Sequence, residues 1–168
     1  ASCSTYRHRF GSLQEAYKLI GYGGPESFRK YEARRRNQAL RDELIEKIVA
    51  LFPKDIAIIR YGRKWRPRLR VKRGPMISVL IARPVRMAGG TLCWLADPPR
   101  HERRLVTLLA RLNPTQPSFE DFHILPNIDR KKRFVIRLND EWLKRGQPLS
   151  KLSDLLDVVE QVRKSRKR

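Results

Sequence analysis

The spacing of the apolar residues changes at Pro53, and that change restricts the fold more than any other feature of the chain. Before it, Leu40, Leu44, Ile48 and Leu51 recur at spacings of four, four and three, which is one buried helical face. The pattern predicts a helix from about Glu26 to Phe52, with a break near Asn37 and an end imposed by Pro53. After Pro53 the period is two. Ile56 to Tyr61 reads as a strand, Gly62-Arg63-Lys64 as a turn and Trp65 to Lys72 as the return strand. In that return Leu69 and Val71 alternate with Arg68, Arg70 and Lys72, so one face is expected to be apolar and the other uniformly basic. Pro67, which has no N–H to give to a ladder, marks the return as an edge strand.

Further strands are predicted from Met76 to Arg83, Thr91 to Ala96, Leu105 to Leu112, Phe122 to Leu125 and Phe134 to Leu138, with breaks at Gly74-Pro75 and Gly89-Gly90. Val106-Thr107 and the terminating Asn113-Pro114 favour strand over helix for residues 105–112. Period 3.6 returns in Leu152, Leu155, Leu156, Val159 and Val162, on a helix from about Ser150 to Val162. Helices at both ends of a hairpin-connected middle define an α+β fold. It has an N-terminal helical segment, a mostly antiparallel or mixed central sheet and a C-terminal helix.

The first residues are punctuated locally. A helix from about Ser2 to Phe10 puts Cys3, Tyr6 and Phe10 on one face, with Ser4, Thr5, Arg7 and His8 elsewhere. Gly11 reads as its stop. Ser12-Leu13-Gln14-Glu15 is a capping box opening a second helix with the stripe Leu13, Ala16, Tyr17 and Ile20, closed by Gly21. The breaker Gly23-Gly24-Pro25 follows. The organisation expected is a truncated helical DNA-binding segment over residues 1–25, an α+β domain over 26–162 and a disordered basic tail over 163–168.

Thirty-eight Lys and Arg against seventeen Asp and Glu leave a net charge of +21, which argues against most metabolic enzymes and for a polyanionic partner. The charge lies in blocks: +8 over residues 53–75 and +5 over residues 130–139, with −3 over residues 114–129. The apolar runs, the longest from Met76 to Ala82 with Ser78 inside it, are too short for a transmembrane helix, so no membrane partner is expected. Arg7, His8 and Arg9 sit where a signal peptide would be apolar, and the start at Ala1 suggests a processed or excised piece. The two cysteines, Cys3 and Cys93, build neither a disulfide framework nor a zinc site, which points to a reducing, cytoplasmic setting.

Tyr61 and Trp65 are interleaved with Arg60, Arg63, Lys64, Arg66 and Arg68, a combination in which rings stack on bases while guanidinium groups grip phosphates. Thr5, Arg7, His8 and Arg9 suit a recognition helix in a major groove. The candidate DNA contacts are these residues together with Arg34, Arg35, Arg36, Arg70, Lys72, Lys131 and Lys132. No catalytic residue, metal ligand or cofactor is assigned. His8, His101 and His123 are scattered and read as surface or packing residues, and Cys93 as a buried inert thiol. A metal-dependent nuclease would have to draw on Asp97, Glu102, Glu120 and Asp121, of which Glu120-Asp121 is the best pair.

The segment from Arg9-Phe10-Gly11-Ser12-Leu13 through Gln14-Glu15-Ala16-Tyr17 to Lys18-Leu19-Ile20-Gly21-Tyr22 resembles a recurring element of bacterial recombinase-family proteins. These are relatives of the serine recombinases and DNA invertases, in which such a segment lies C-terminal to the catalytic domain. It is also similar to the end of the small DNA-binding repeats that accompany homing endonucleases. Weaker matches follow in order at Ser78 to Arg83, Ala110 to Asn113 and Asp121 to Pro126, so that the resemblance covers roughly residues 5–157. It implies a DNA-binding, non-catalytic module that partners duplex DNA and a recombinase catalytic domain. The family's serine-nucleophile domain has no counterpart in these residues, so strand exchange would have to come from elsewhere. Two other readings stand beside it: a small Mg²⁺-dependent endonuclease of degenerate restriction-enzyme-like fold, and an RNA-binding or ribosome-associated protein.

Overall fold

The computed structural model describes residues 2–21, 26–59, 67–97, 105–125, 134–137, 141–144 and 146–165. The described residues form an α+β protein with helices at both ends of an eight-stranded mixed sheet. The chain divides into two compact units, residues 1–39 and 40–168.

The first unit contains α1 (Cys3–Phe10), α2 (Leu13–Leu19) and the first half of α3 (Glu26–Leu51). Gly11, with φ +73°, turns the chain between α1 and α2 in a conformation that costs glycine little. The Ser12 hydroxyl accepts from the Glu15 amide at 3.1 Å, which is the first half of the expected capping box. The Glu15 carboxylate accepts instead from Lys18 Nζ at 3.2 Å. Of the α2 stripe only Ala16 is buried, while Ile20 is 74% exposed. Tyr6 and Phe10 stack with ring centroids 6.2 Å apart and both stay exposed. The breaker at residues 23–25 lies outside the described residues.

The expected break near Asn37 does not occur, because α3 runs unbroken from Glu26 to Leu51. What changes near that point is packing: the boundary between the compact units falls at residues 39 and 40. Good helix formers at Gln38, Ala39, Leu40 and Arg41 carry the backbone across. Beyond it Leu44, Ile45 and Ile48 are buried, whereas Leu51, expected on the same face, is 50% exposed. Phe52, the next residue, packs against the core in its place.

In the second unit the strands are β1 (Ile56–Ile59), β2 (Arg68–Val71), β3 (Met76–Arg86), β4 (Leu92–Ala96), β5 (Leu105–Leu112), β6 (Phe119–Leu125), β7 (Phe134–Ile136) and β8 (Gln147–Leu149). The main path is β1-β2-β3-β5-β6-β8, with β4 paired to β3 and β7 to β4. All pairings are antiparallel except β3 with β5, and β4 lies within the connection between those two. The β2 strand is bonded to β1 on one side and β3 on the other, so the edge expected from Pro67 is not there. Pro67 stands just before the strand and withholds no N–H from either ladder. The short edge strand β8, which carries Pro148, and the helical turn α4 (Glu141–Lys144) were not anticipated by period, being too short to show one.

Alternation along each strand sends two sets of side chains to opposite faces. Ile77 and Val79 of β3, Val106, Leu108 and Ala110 of β5, and Ile124 of β6 form one buried cluster with Leu44, Ile45 and Ile48 of α3. Leu155, Val159 and Val162 join it from α5 (Leu155–Ser165), which is entered through a 3-10 turn at Leu152–Asp154. This helix continues past Val162, so residues 163–165 are helical rather than tail. On the other face Leu80, Ala82, Leu109 and Leu125 pack with Trp94 and Ala96 of β4 and Ile136 of β7. Cys93 is buried and free, as its apolar strand context suggests.

Leu108, with no exposed surface, should therefore be far less replaceable than half-exposed Leu51. Leu108→Ala is expected to cost about 3 kcal/mol and Leu51→Ala no more than about 0.5 kcal/mol, measured by urea unfolding followed by circular dichroism.

Candidate nucleic-acid interface

Basic side chains are exposed on both units. In the first, Thr5, His8 and Arg9 of α1 are exposed, and the Thr5 hydroxyl lies 3.2 Å from the hydroxyl of Ser2. Arg7 belongs to the same helix. Arg34, Arg35 and Arg36 are exposed on α3, where consecutive residues point about 100° apart and so spread around the helix. Arg35 and Arg36 line an open groove of about 550 Å³ with Ser12, Glu15, Lys18 and Glu32. Lys18 Nζ sits 3.2 Å from Glu15 and 3.6 Å from Glu32. Its hydrogen bond to Glu15, then the charges of both carboxylates, hold the ammonium above its usual range. The groove is thus basic at one wall and internally balanced at the other.

The second unit carries a more one-sided basic groove. The segment Pro53-Lys54-Asp55 leads into β1, and the turn Lys72-Arg73-Gly74-Pro75 leads from β2 into β3. The two are tied together, since the Lys72 amide donates to the Asp55 carbonyl at 2.7 Å. The turn is tight for a steric reason: a Cβ at residue 74 would sit 2.8 Å from Val71 Cγ1, so only glycine fits without a shift. Arg73 takes the left-handed conformation, φ +58°, that brings the chain to that point. An open groove of about 390 Å³ results, lined by Lys54, Arg70, Lys72 and Arg73, with Asp55 as its one carboxylate. Lys54 and Arg73 were not singled out from sequence. Their signal was their place at the two turn dipeptides, Pro53-Lys54 and Arg73-Gly74, which bring residues far apart in the chain to the same end of a hairpin.

Arg68 departs from expectation. It was placed on an exposed, uniformly basic face, yet it is only 5% exposed. Its face is the same as that of Arg70, but its rung is different: Arg68 pairs across to Ser78, which pairs to Thr107, in the middle of the sheet. Arg70 stands opposite Met76, at the end of the sheet, and reaches solvent. Arg60, Arg63, Lys64, Trp65, Arg66, Lys131 and Lys132, with Tyr61, lie outside the described residues, as do His101 and Glu102.

The acidic segment is built into the sheet rather than into a metal centre. Glu120 and Asp121 are neighbours on β6 at an irregularity in its pairing with β5, where Asp121 stands opposite Arg111 and Phe119 opposite Leu112. Glu120 is exposed and accepts from Asn113 Nδ2 at 2.7 Å. Asp121 stands directly across from Arg111 on β5 and receives two hydrogen bonds from its guanidinium, Nε at 2.7 Å and Nη2 in close contact. Arg111 lies over the Trp94 ring at 4.5 Å, and Trp94 Nε1 donates to the Leu112 carbonyl at 2.8 Å. His123 Nε2 lies 3.3 Å from the Asp121 carboxylate. Burial pushes the Asp121 carboxyl up, but the hydrogen bonds and charge of Arg111, with His123 close by, outweigh it and hold the group well below the usual carboxylate range. No group of three or more metal-ligating side chains is found among the described residues. His123, read as a surface or packing residue, is largely buried beside this cluster. No helix among the described residues is long and apolar enough to cross a membrane.

No family model matches the chain, and no curated protein or solved structure matches it.

The Asp121 arrangement fixes the direction of an acid effect. A carboxyl whose folded pKa is depressed stabilises the fold above its unfolded pKa, near 4, and loses that contribution as pH falls toward the folded value. Wild-type stability is expected to fall as pH drops below about 4, and Asp121→Asn should flatten that part of the profile. At pH 7 the same substitution leaves the largely buried Arg111 facing a neutral amide, at a cost of about 3 kcal/mol by thermal or denaturant unfolding.

Proposed function

We propose that this chain is a duplex-DNA-binding module that performs no chemistry of its own, and that it grips phosphates through the basic groove at the end of the β1–β2 hairpin. The observation that carries the reading is the lining of that groove, where four cationic side chains meet one carboxylate at an open hairpin end. A phosphate backbone takes such a surface through counterion release. The exposed Arg34, Arg35 and Arg36 of the other unit supply a second basic surface for the same polyanion. The resemblance of residues 9–22 to a segment of recombinase-family proteins makes duplex DNA the first target to test, with a recombinase catalytic domain as the protein that would supply chemistry. A nuclease reading finds less support, because Asp121 is occupied by Arg111 and Glu120 is hydrogen-bonded to Asn113.

Affinity for a duplex, a single strand and a structured RNA, each measured across a salt series by fluorescence anisotropy, tests the proposal. Duplex DNA is expected to bind most tightly. The triple variant Arg70→Ala/Lys72→Ala/Arg73→Ala should reduce the steepness of log K against log salt by about 2 to 3. Arg68→Ala should lower thermal stability first and leave that slope nearly unchanged. Tighter binding of RNA at matched salt, or an unchanged slope in the triple variant, would overturn the reading. Cleavage of the DNA by the wild-type chain with Mg²⁺ would refute the non-catalytic part.

A further inference from the structure

The β3–β4 hairpin has features that neither its own packing nor the basic groove uses. Beyond the point where β5 pairs with β3, ending at Ala82 and Arg111, the hairpin continues through Arg86 and Leu92. The β7 strand follows β4 no further than Trp94. Every residue from Arg86 to Thr91 is exposed, and Met87 is an apolar side chain 44% exposed at the start of the turn. The tip is nonetheless held in shape. The Met87 amide donates to the Thr91 carbonyl at 3.0 Å, the Gly90 amide donates to the Met87 carbonyl at 2.8 Å, and Arg86 Nη1 donates to the Gly90 carbonyl at 3.3 Å.

The two glycines of the turn differ in what the fold asks of them. Gly90 has φ +77°, a conformation that favours glycine. Gly89 has no positive φ, and a Cβ added there would meet nothing within 4 Å. Folding therefore does not require glycine at 89. A missing side chain at an exposed tip has a use when another backbone or surface must come close. Residues 76–96 contain Arg83 and Arg86 and no acidic residue, so the surface that comes close is favoured to be anionic.

We propose that this tip enters the minor groove of duplex DNA, with Met87 as an apolar wedge at a base step, Gly89 at the point of closest approach and Arg86 against the groove wall. The inference rests on the duplex-binding reading above and assigns it a second, deforming contact. A tip of Ala88-Gly89-Gly90 is narrow enough for a groove about 6 Å wide, and the minor groove's negative potential favours an arginine beside it. Unbranched, flexible Met is among the side chains that wedge between base steps, and such insertion kinks the duplex by tens of degrees.

The test uses the full chain, short duplexes carrying 2-aminopurine beside flexible TA steps, and circular-permutation electrophoresis. Wild type should raise the fluorescence by unstacking the base and should bend the duplex. Met87→Ala and Gly89→Val should lose both signals and weaken binding by about tenfold, with the salt slope and thermal stability unchanged, because neither position contributes to the core. The Arg70/Lys72/Arg73 triple variant should lower the salt slope and keep the bend once saturated. If wild type binds duplex with the expected salt dependence but neither bends nor unstacks it, or if the two tip variants behave as wild type, the wedge is refuted and the phosphate-binding reading stands. If wild type fails to bind duplex at all, both fall together.

Discussion

β3 is the strand on which the second unit hangs. Its first residues are bonded on one side to β2 and on the other to β5, the sole parallel pair among the described strands, while its last four residues pair with β4. Its alternation distributes Ile77 and Val79 to the cluster under α3 and α5 and Leu80 and Ala82 to the cluster under β4 and β7. A slip of one residue in its register would exchange the two sets and bring Ser78 into the helix-covered core. The long apolar run from Met76 to Ala82 is what a strand covered on both faces requires, and it leaves little freedom for such a slip.

Given that register, polar residues are drawn into the interior in a fixed pattern. Ser78, Thr107 and Arg111 are buried on the same face as Leu80 and Leu109, and Arg111 meets Asp121 because the two are direct cross-strand partners. A buried guanidinium is tolerable only with its charge matched and its hydrogen bonds made, and Asp121 with the Trp94 ring supplies most of that environment. Asp121, one of the pair that looked most like metal ligands in the linear sequence, thus has a structural occupation. The basic charge is divided likewise: Arg68 and Arg111 are built into the sheet, while Lys54, Arg70, Lys72 and Arg73 remain at a surface a polyanion can reach.

Much of the fold was legible because its elements carry strong local signals. The strand at Leu105–Leu112, the stripe of α5, the stop at Gly11 and the Ser12 cap all appear where the residues put them. Elements of three or four residues, such as α4 and β8, hold too few positions to establish a period. The candidate site was legible only as a list of cations. Which of them are exposed depends on the rung of the sheet each occupies, and Arg68 and Arg70 differ in rung alone.

The sequence by itself determined the class of fold, the switch from helix to strand at Pro53, and a net charge of +21. These follow from chemistry repeated along neighbouring residues, so they are readable one segment at a time. Only the tertiary structure decided that β2 is an inner strand, that Asp121 belongs to Arg111, and that Lys54 and Arg73 converge on one groove. Each of these depends on which distant backbone supplies the next set of hydrogen bonds, and no local period carries that information.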